Sequence, residues 1–372
     1  MRASQCADER RAGWFLLALP LVVFCCGCPV TPEPGDGDVP TIDPGTNRSV
    51  QSAATVALDE TGAARFRSNI VGGSDVDVFD LGPISPGDAI RVDVQRVSGD
   101  LDPVAAIFDI DTELVAFSDD RTPDSSDLNP LIDFVLRAPA GRYYLGVIAY
   151  PGSGTTGEYE TQVRITRQVG VPSPRRQTVF LDWRGGQDIV VPNVGVFDLP
   201  AFNALDVGLP SNQTAALKGR VLQIVRDRYA DFNIVFVSSD DAGPPAEAHA
   251  TVYFGGRDPR AFAISEAIDP YNQDPADTAI IFTGGYRDAF SVEPNFEELA
   301  QAVGNTVAHE VGHLLGLVHT ADCSDLMDTS CPNDRILSPQ QFETGRLDRS
   351  VFPFGFQPSH DLLSWILGLV GV

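Results

Sequence analysis

Between residues 51 and 168, apolar and polar positions alternate with a period of two, in short runs separated by Gly, Pro and Asp. The clearest runs are 75–81, 89–94, 104–108, 134–136, 143–148 and 159–165. Successive side chains of an extended chain point to opposite faces, so each run predicts a strand with one buried face. No helical spacing interrupts them, and together they predict an antiparallel β-sandwich. Beyond a short link carrying Pro172, Pro174, Arg175 and Arg176 the periods mix. Residues 178–183 read as a strand. Leu217, Val221, Leu222, Ile224 and Val225 then make an apolar stripe on a helix from 213 to 229. Further strands are expected at 232–237, 250–254, 261–265 and 278–282. Asn295 and Glu298 have the spacing of a capping box, and Leu299, Ala302, Val303, Thr306 and Val307 continue at helical intervals to about 315. This order predicts a mixed, largely parallel sheet with helices packed on it.

The two ends differ from this pattern. Arg2, Arg10 and Arg11 precede an apolar run from 14 to 24, which predicts a secretory signal over residues 1–28. That run is too short for a membrane-spanning helix. Its end, Cys25-Cys26-Gly27-Cys28, resembles a bacterial lipobox in which Cys28 would become lipidated. Release after ordinary cleavage is the other expectation. Residues 29–50 are rich in Pro, Gly and Asp and read as a disordered linker. Residues 358–372 are strongly apolar but too short to cross a bilayer, and are expected to pack on the preceding domain.

Composition narrows the classes. With 372 residues the chain suits two domains plus accessories, and 43% hydrophobic residues suffice for packed cores. A net charge of −25 argues against nucleic acid and anionic lipid surfaces as partners. A membrane would then be reached only through the N-terminal lipid. Four of the six cysteines lie in the leader, leaving Cys323 and Cys331. In an exported chain that pair reads as a disulfide; a second metal site would lack further ligands. Asp269, Asn272, Asp274 and Asp277 admit either a structural Ca2+ or loop solvation, while Asp119, Asp120 and Asp124 read as turn formers.

Three of the five histidines fall in one stretch, His309-Glu310-Val311-Gly312-His313-Leu314-Leu315-Gly316-Leu317-Val318-His319. His309 and His313 lie one helical turn apart and can reach a single ion. Gly316 can take the left-handed conformation that ends a helix, which lets His319 return to the same ion. Three imidazoles with a fourth position open make the donor set of a catalytic Zn2+ site, and Glu310 stands beside it as the candidate general base. His249 and His360 have no ligand spacing and read as packing or surface residues.

This H-E-x-x-H-x-x-G-x-x-H pattern, followed by Asp325-Leu326-Met327-Asp328, resembles the metzincin zinc peptidases over about 178–349. The resemblance implies that Met327 packs beneath the metal and that an edge strand, here 262–265, pairs with the substrate backbone. It further implies a helix opening at Ser338-Pro339 and a matrixin-like C-terminal subdomain. Thr320 departs from the residues that usually follow the third histidine. No Tyr follows Met327, and no free cysteine remains for a thiol switch. The first domain resembles the bacterial pre-peptidase C-terminal domain, a jelly-roll-like sandwich. The matching residues are Asp75-Val76-Asp77-Val78-Phe79, Leu101-Asp102-Pro103-Val104, Ser118-Asp119-Asp120 and Ala140-Gly141-Arg142-Tyr143-Tyr144. The expectation is a multidomain protein: a sandwich at 51–168, a metzincin-type α/β domain at 175–357, and an apolar end at 358–372. The implied activity is zinc-dependent endopeptidase action on extracellular proteins or peptides, by an enzyme lipid-anchored at the cell envelope or secreted. The alternative is a non-catalytic surface-binding or adhesion lipoprotein with a peptidase-like fold.

Overall fold

Nine strands come first in the computed structural model, which describes residues 39–371 except 44, 123–124 and 192–193. They are β1 (Ala54–Thr55), β2 (Ala63–Ile70), β3 (Asp77–Ile84), β4 (Ala89–Arg96), β5 (Pro103–Phe108), β6 (Leu114–Ser118), β7 (Leu131–Val135), β8 (Gly141–Ala149) and β9 (Gly157–Thr166). One antiparallel sheet runs β2-β9-β4-β7; the other runs β1-β3-β8-β5-β6, antiparallel except for the β1–β3 pair. Alternate residues of both sheets, among them Phe66, Phe79, Val92, Ile107, Leu145 and Val163, meet in one buried cluster between them. β2 escapes the sequence pattern because Ser68 interrupts its apolar face between Phe66 and Ile70, and Arg65 and Arg67 charge the opposite face, where both pair with Glu160 on β9. The leader and Cys28 lie outside the described residues. Residues 39–50, expected as part of a linker, are docked on the sandwich instead. Ile42 N donates to the Arg67 carbonyl at 2.8 Å, and Val78 N donates to the Asn47 carbonyl at 2.7 Å.

One buried acid gives the sandwich a pH dependence. Asp77 accepts hydrogen bonds from the Tyr159 hydroxyl at 2.6 Å and the Ser68 hydroxyl at 2.7 Å. Burial outweighs both and pushes its carboxyl up to about 6. The folded state therefore binds this proton more tightly than the unfolded chain. Its contribution is full below about pH 4 and is lost as pH rises through about 6. Asp77→Asn should remove that loss, about 1–3 kcal/mol, and flatten the profile of Tm against pH between about 4 and 7.

The remaining elements are β10 (Gln177–Asp182), β11 (Gly186–Val191), β12 (Gly195–Leu199), α1 (Thr214–Arg228), β13 (Ile234–Ser238), β14 (Ala250–Phe254), β15 (Ala263–Ser265), β16 (Thr278–Ile281), α2 (Phe296–His313), β17 (Thr344–Arg346), β18 (Phe356–Pro358) and α3 (Ser359–Leu367). Their main sheet runs β13-β10-β14-β16-β15. The first four strands are parallel, and β15 closes the edge antiparallel to β16. Alternation sorts the two faces. Ala279 and Ile281 meet the helices, whereas Ile280 meets Ile189, Val191 and Leu199 of the β11–β12 hairpin.

The helix expected to open at Ser338 does not form. Ser338 is extended (φ −105°, ψ 156°), and the following residues are drawn back onto the 323–326 segment. There, Leu326 N donates to the Gln341 carbonyl at 2.7 Å. The apolar C-terminal stretch supplies the helix instead, burying Leu362, Leu363, Ile366 and Leu367 of α3 in the core shared with α1 and α2.

The sandwich and the mixed sheet lie in one compact unit. All six residues of β5 are buried, because its second face is covered as well. Val104, Ala106, Phe108, Tyr144 and Ile148 pack against Val318, Leu347, Val351 and Phe352 from the far end of the chain. The contact is close: a Cβ on Gly146 of β8 would lie 2.7 Å from the Phe352 ring. Beside it, Tyr271 stacks on Phe134 with centroids 5.0 Å apart and donates its hydroxyl to the Val115 carbonyl at 3.0 Å.

Candidate metal centre

The site begins with a well-started helix. Asn295 accepts from the Glu297 and Glu298 N–H groups, and the Glu298 carboxylate accepts in turn from the Asn295 N–H. That capping box fixes where α2 starts. Its buried stripe, including Leu299, Val303, Val307 and Val311, fixes which way it faces. His309 and His313 then project from one side, with ring centroids 4.7 Å apart.

The chain must turn sharply to bring in the third histidine. Gly316 has φ +91°, its N–H donates to the His313 carbonyl at 2.8 Å, and Leu317 N donates to the Gly312 carbonyl at 2.9 Å. This is a Schellman ending, which favours glycine. The 269–271 loop makes glycine doubly necessary, since a Cβ would lie 2.7 Å from Pro270 Cα and 2.8 Å from the Asp269 carbonyl oxygen. His319 comes back with its Nε2 3.0 Å from the Nε2 of His313. The ligand atoms of His309, His313 and His319 all lie within 4.8 Å of one another.

Several residues hold this arrangement. Met327 is fully buried with its sulfur against Gly312, where a Cβ would stand 2.7 Å away. The Cys323–Cys331 disulfide, with Cα atoms 5.7 Å apart, closes the loop around Met327. Thr320 is fully buried; its N–H donates to the Met327 carbonyl at 2.9 Å and its hydroxyl to Asp325 at 2.8 Å. The Gln357 side-chain amide pairs with both the N–H and the carbonyl of Val318, at 2.7 and 2.9 Å. Gln357 carried no sequence signal, and Asp325 only a place in the Met327 segment, because their partners are set by the tertiary fold.

The electrostatics favour a cation. His309 Nδ1 faces the Leu326 carbonyl at 2.8 Å and His313 Nδ1 faces the Leu317 carbonyl at 2.7 Å. A carbonyl only accepts, so each Nδ1 carries the proton and each Nε2 keeps its lone pair. Burial depresses His309 to about 3 and His313 well below the ordinary histidine value; it also lowers His319, with Asp348 acting in the opposite sense. Three neutral imidazoles whose ring nitrogens converge suit a borderline metal ion such as zinc, so the residues present fit the implied group. Glu310 is also buried, which pushes its carboxyl up to about 8.

Other candidate residues lie elsewhere. His249 stands edge-on to Phe180, and His360 packs beside Phe232. The carboxylates of Asp269, Asp274 and Asp277 form no ligand-distance group among the described residues, and nothing there supports calcium. Asp269 caps its own loop through the Asp274 N–H at 2.8 Å. A cavity of about 270 Å³ opens on the outer sandwich sheet between Asp59, Arg91 and Arg164, distant in the fold from the histidines and without their chemistry.

No protein-family model matches the chain, and no curated protein matches it. Among solved structures, the archaemetzincin of Methanopyrus kandleri is similar at 14% identity and TM-score 0.27, over 46% of this chain and 92% of its own. A zinc-dependent peptidase from Methanocorpusculum labreanum is similar at 16% identity and TM-score 0.23, over 44% and 94%. The pre-peptidase C-terminal domain of the Bacillus anthracis collagenase is similar at 18% identity and TM-score 0.24, over 30% and 94%. Likeness at these TM-scores carries no functional weight, and the geometry of the site has to stand by itself.

Proposed function

We propose that this protein is a zinc-dependent endopeptidase of metzincin type, acting on extracellular proteins or peptides. The observation that carries the reading is the convergence of three neutral imidazoles, His313 buried and His309 and His319 half-buried, beside the buried Glu310 carboxylate, at the foot of an open sheet edge. His309, His313 and His319 would hold the zinc. When bound, zinc would supply Lewis-acid polarisation of the scissile carbonyl and acidify a water molecule at neutral pH. Glu310 takes the proton from the attacking water and delivers it to the departing amine nitrogen. β15, hydrogen-bonded on one side only, offers its other edge to an extended peptide backbone. Gly316 and Met327 support the ligands through the turn and from beneath.

The protein would be exported by its leader and either held at the envelope through Cys28 or released, with the sandwich as an accessory module. Among the described residues no helix is long and apolar enough to cross a membrane. The test uses the full chain: metal analysis, followed by cleavage of a broad peptide library before and after chelation. Stoichiometric zinc is expected, with cleavage lost on chelation and restored by added zinc. Zinc bound without turnover on any peptide would instead favour a non-catalytic binding protein.

A further inference from the structure

The loop behind the Gly316 turn carries two successive non-glycine residues in the left-handed conformation, Tyr271 at φ +65° and Asn272 at φ +50°. Among the described residues no other adjacent pair does so. A bulky side chain is disfavoured there, so surrounding contacts must hold it. For Tyr271 those contacts come from the sandwich. Its ring stacks on Phe134 of β7 at 5.0 Å, with 17° between the planes, and the Arg137 guanidinium lies 5.5 Å from the ring centre. Its hydroxyl donates to the Val115 carbonyl of β6 at 3.0 Å. Asn272 is anchored in the other half: its amide donates to Gln177 Oε1 at 3.0 Å, and its carbonyl accepts from Arg175 at 3.1 Å. The same loop forms the wall behind the ligand turn. Asp269 N donates to the His313 carbonyl at 3.0 Å, and Tyr271 N lies 3.1 Å from where a Cβ on Gly316 would stand.

We propose that Tyr271 is a positioning residue through which the sandwich sets the turn between His313 and His319, so that the triad keeps metal-binding spacing only with the sandwich docked. The consequence for zinc rests on the metal-centre reading; the tether itself does not. Released from its contacts, a tyrosine here would relax to negative φ, and the backbone of Pro270 and Asp269 would rotate with it. That backbone touches the Gly316 turn, and His319 follows directly from the turn. A shift of about an ångström at a ligand is enough to weaken a metal site.

The experiment uses the full chain and reads the tether and its consequence separately. In the zinc-free protein, amide exchange at Gly316 and Leu317 is taken relative to the amides of β14. It should quicken by about 10-fold in Tyr271→Leu and in Phe134→Leu, which breaks the same stack from the sandwich side. Zinc affinity, by competition with a chelator, should fall about 10- to 100-fold in both leucine variants. Tyr271→Phe keeps the stack and should stay within about 5-fold of the wild type. Phe66→Leu is the control. It alters the same core at the opposite edge of the sheet, against Phe79, and should lower Tm while leaving both readouts unchanged. Unchanged exchange at Gly316 and Leu317 in both leucine variants overturns the tether. Faster exchange with unchanged zinc affinity overturns the positioning role, and so does an equal loss of affinity in Phe66→Leu, which would make general stability the cause. If the wild type binds no zinc, the metal-centre reading and the positioning role fall together, while the exchange rates still decide the tether.

Discussion

Glu310→Gln is expected to reduce peptide cleavage by about 10²–10⁴-fold while the chain keeps its zinc. The substitution preserves shape and removes only the ability to accept a proton. Glutamine fits the same buried space, so the fold has no reason to change. The ligands are held independently of residue 310, by the Leu326 and Leu317 carbonyls on two rings and by the Gln357 clamp beside the third. Loss of turnover with full metal content is therefore the signature of a missing base rather than a broken site. The check is kcat/KM on one cleaved peptide alongside zinc stoichiometry. Comparable activity in the variant would mean that another group moves the proton.

Gly316→Ala should be a strongly damaging single methyl close to the histidines. A left-handed alanine costs about 1–2 kcal/mol, and forcing a Cβ into packed backbone adds about 1–3 kcal/mol. The atoms it would strike are Pro270 Cα and the Asp269 carbonyl, which cannot swing aside like the end of a side chain. Moving them also pulls on the Asp269 N–H that donates to the His313 carbonyl at 3.0 Å. A loss of about 2–5 kcal/mol with weakened zinc binding is expected, read by Tm and by metal titration. Gly219 of α1 is the control. Its Cβ would meet nothing within 4 Å, and alanine there should stabilise the helix by about 0.5–1 kcal/mol.

What could be read from the chain was local. The α2 start, the histidine spacing and the glycine turn are each decided within a few residues, and β14 at Ala250–Phe254 falls where its alternation placed it. Elements made by distant partners were hidden. β2 looks too charged for a sandwich strand until Glu160 is placed across from it. Ser338-Pro339-Gln340 has the local chemistry of a helix start, but hydrogen bonds to the 323–326 segment hold it extended, with the Gln340 side chain donating to the Asp325 carbonyl at 3.3 Å. Thr320 looked like a departure from the family pattern; it is the fully buried partner of Asp325.

The doubly covered β5 sheet also bears on how such a chain can be divided. Phe352, Val351 and Leu347 have their complement in Phe108, Tyr144 and Gly146, more than two hundred positions earlier. A protease that nicked the mostly exposed 169–176 stretch would leave two fragments still clasped together, not two free domains. A fragment made from residue 175 onward would carry a sticky, uncovered face next to Val318, the neighbour of His319. In evolutionary terms the sandwich is no longer an interchangeable bead on a string. Exchanging it for another would mean re-solving the packing against which the third histidine is held.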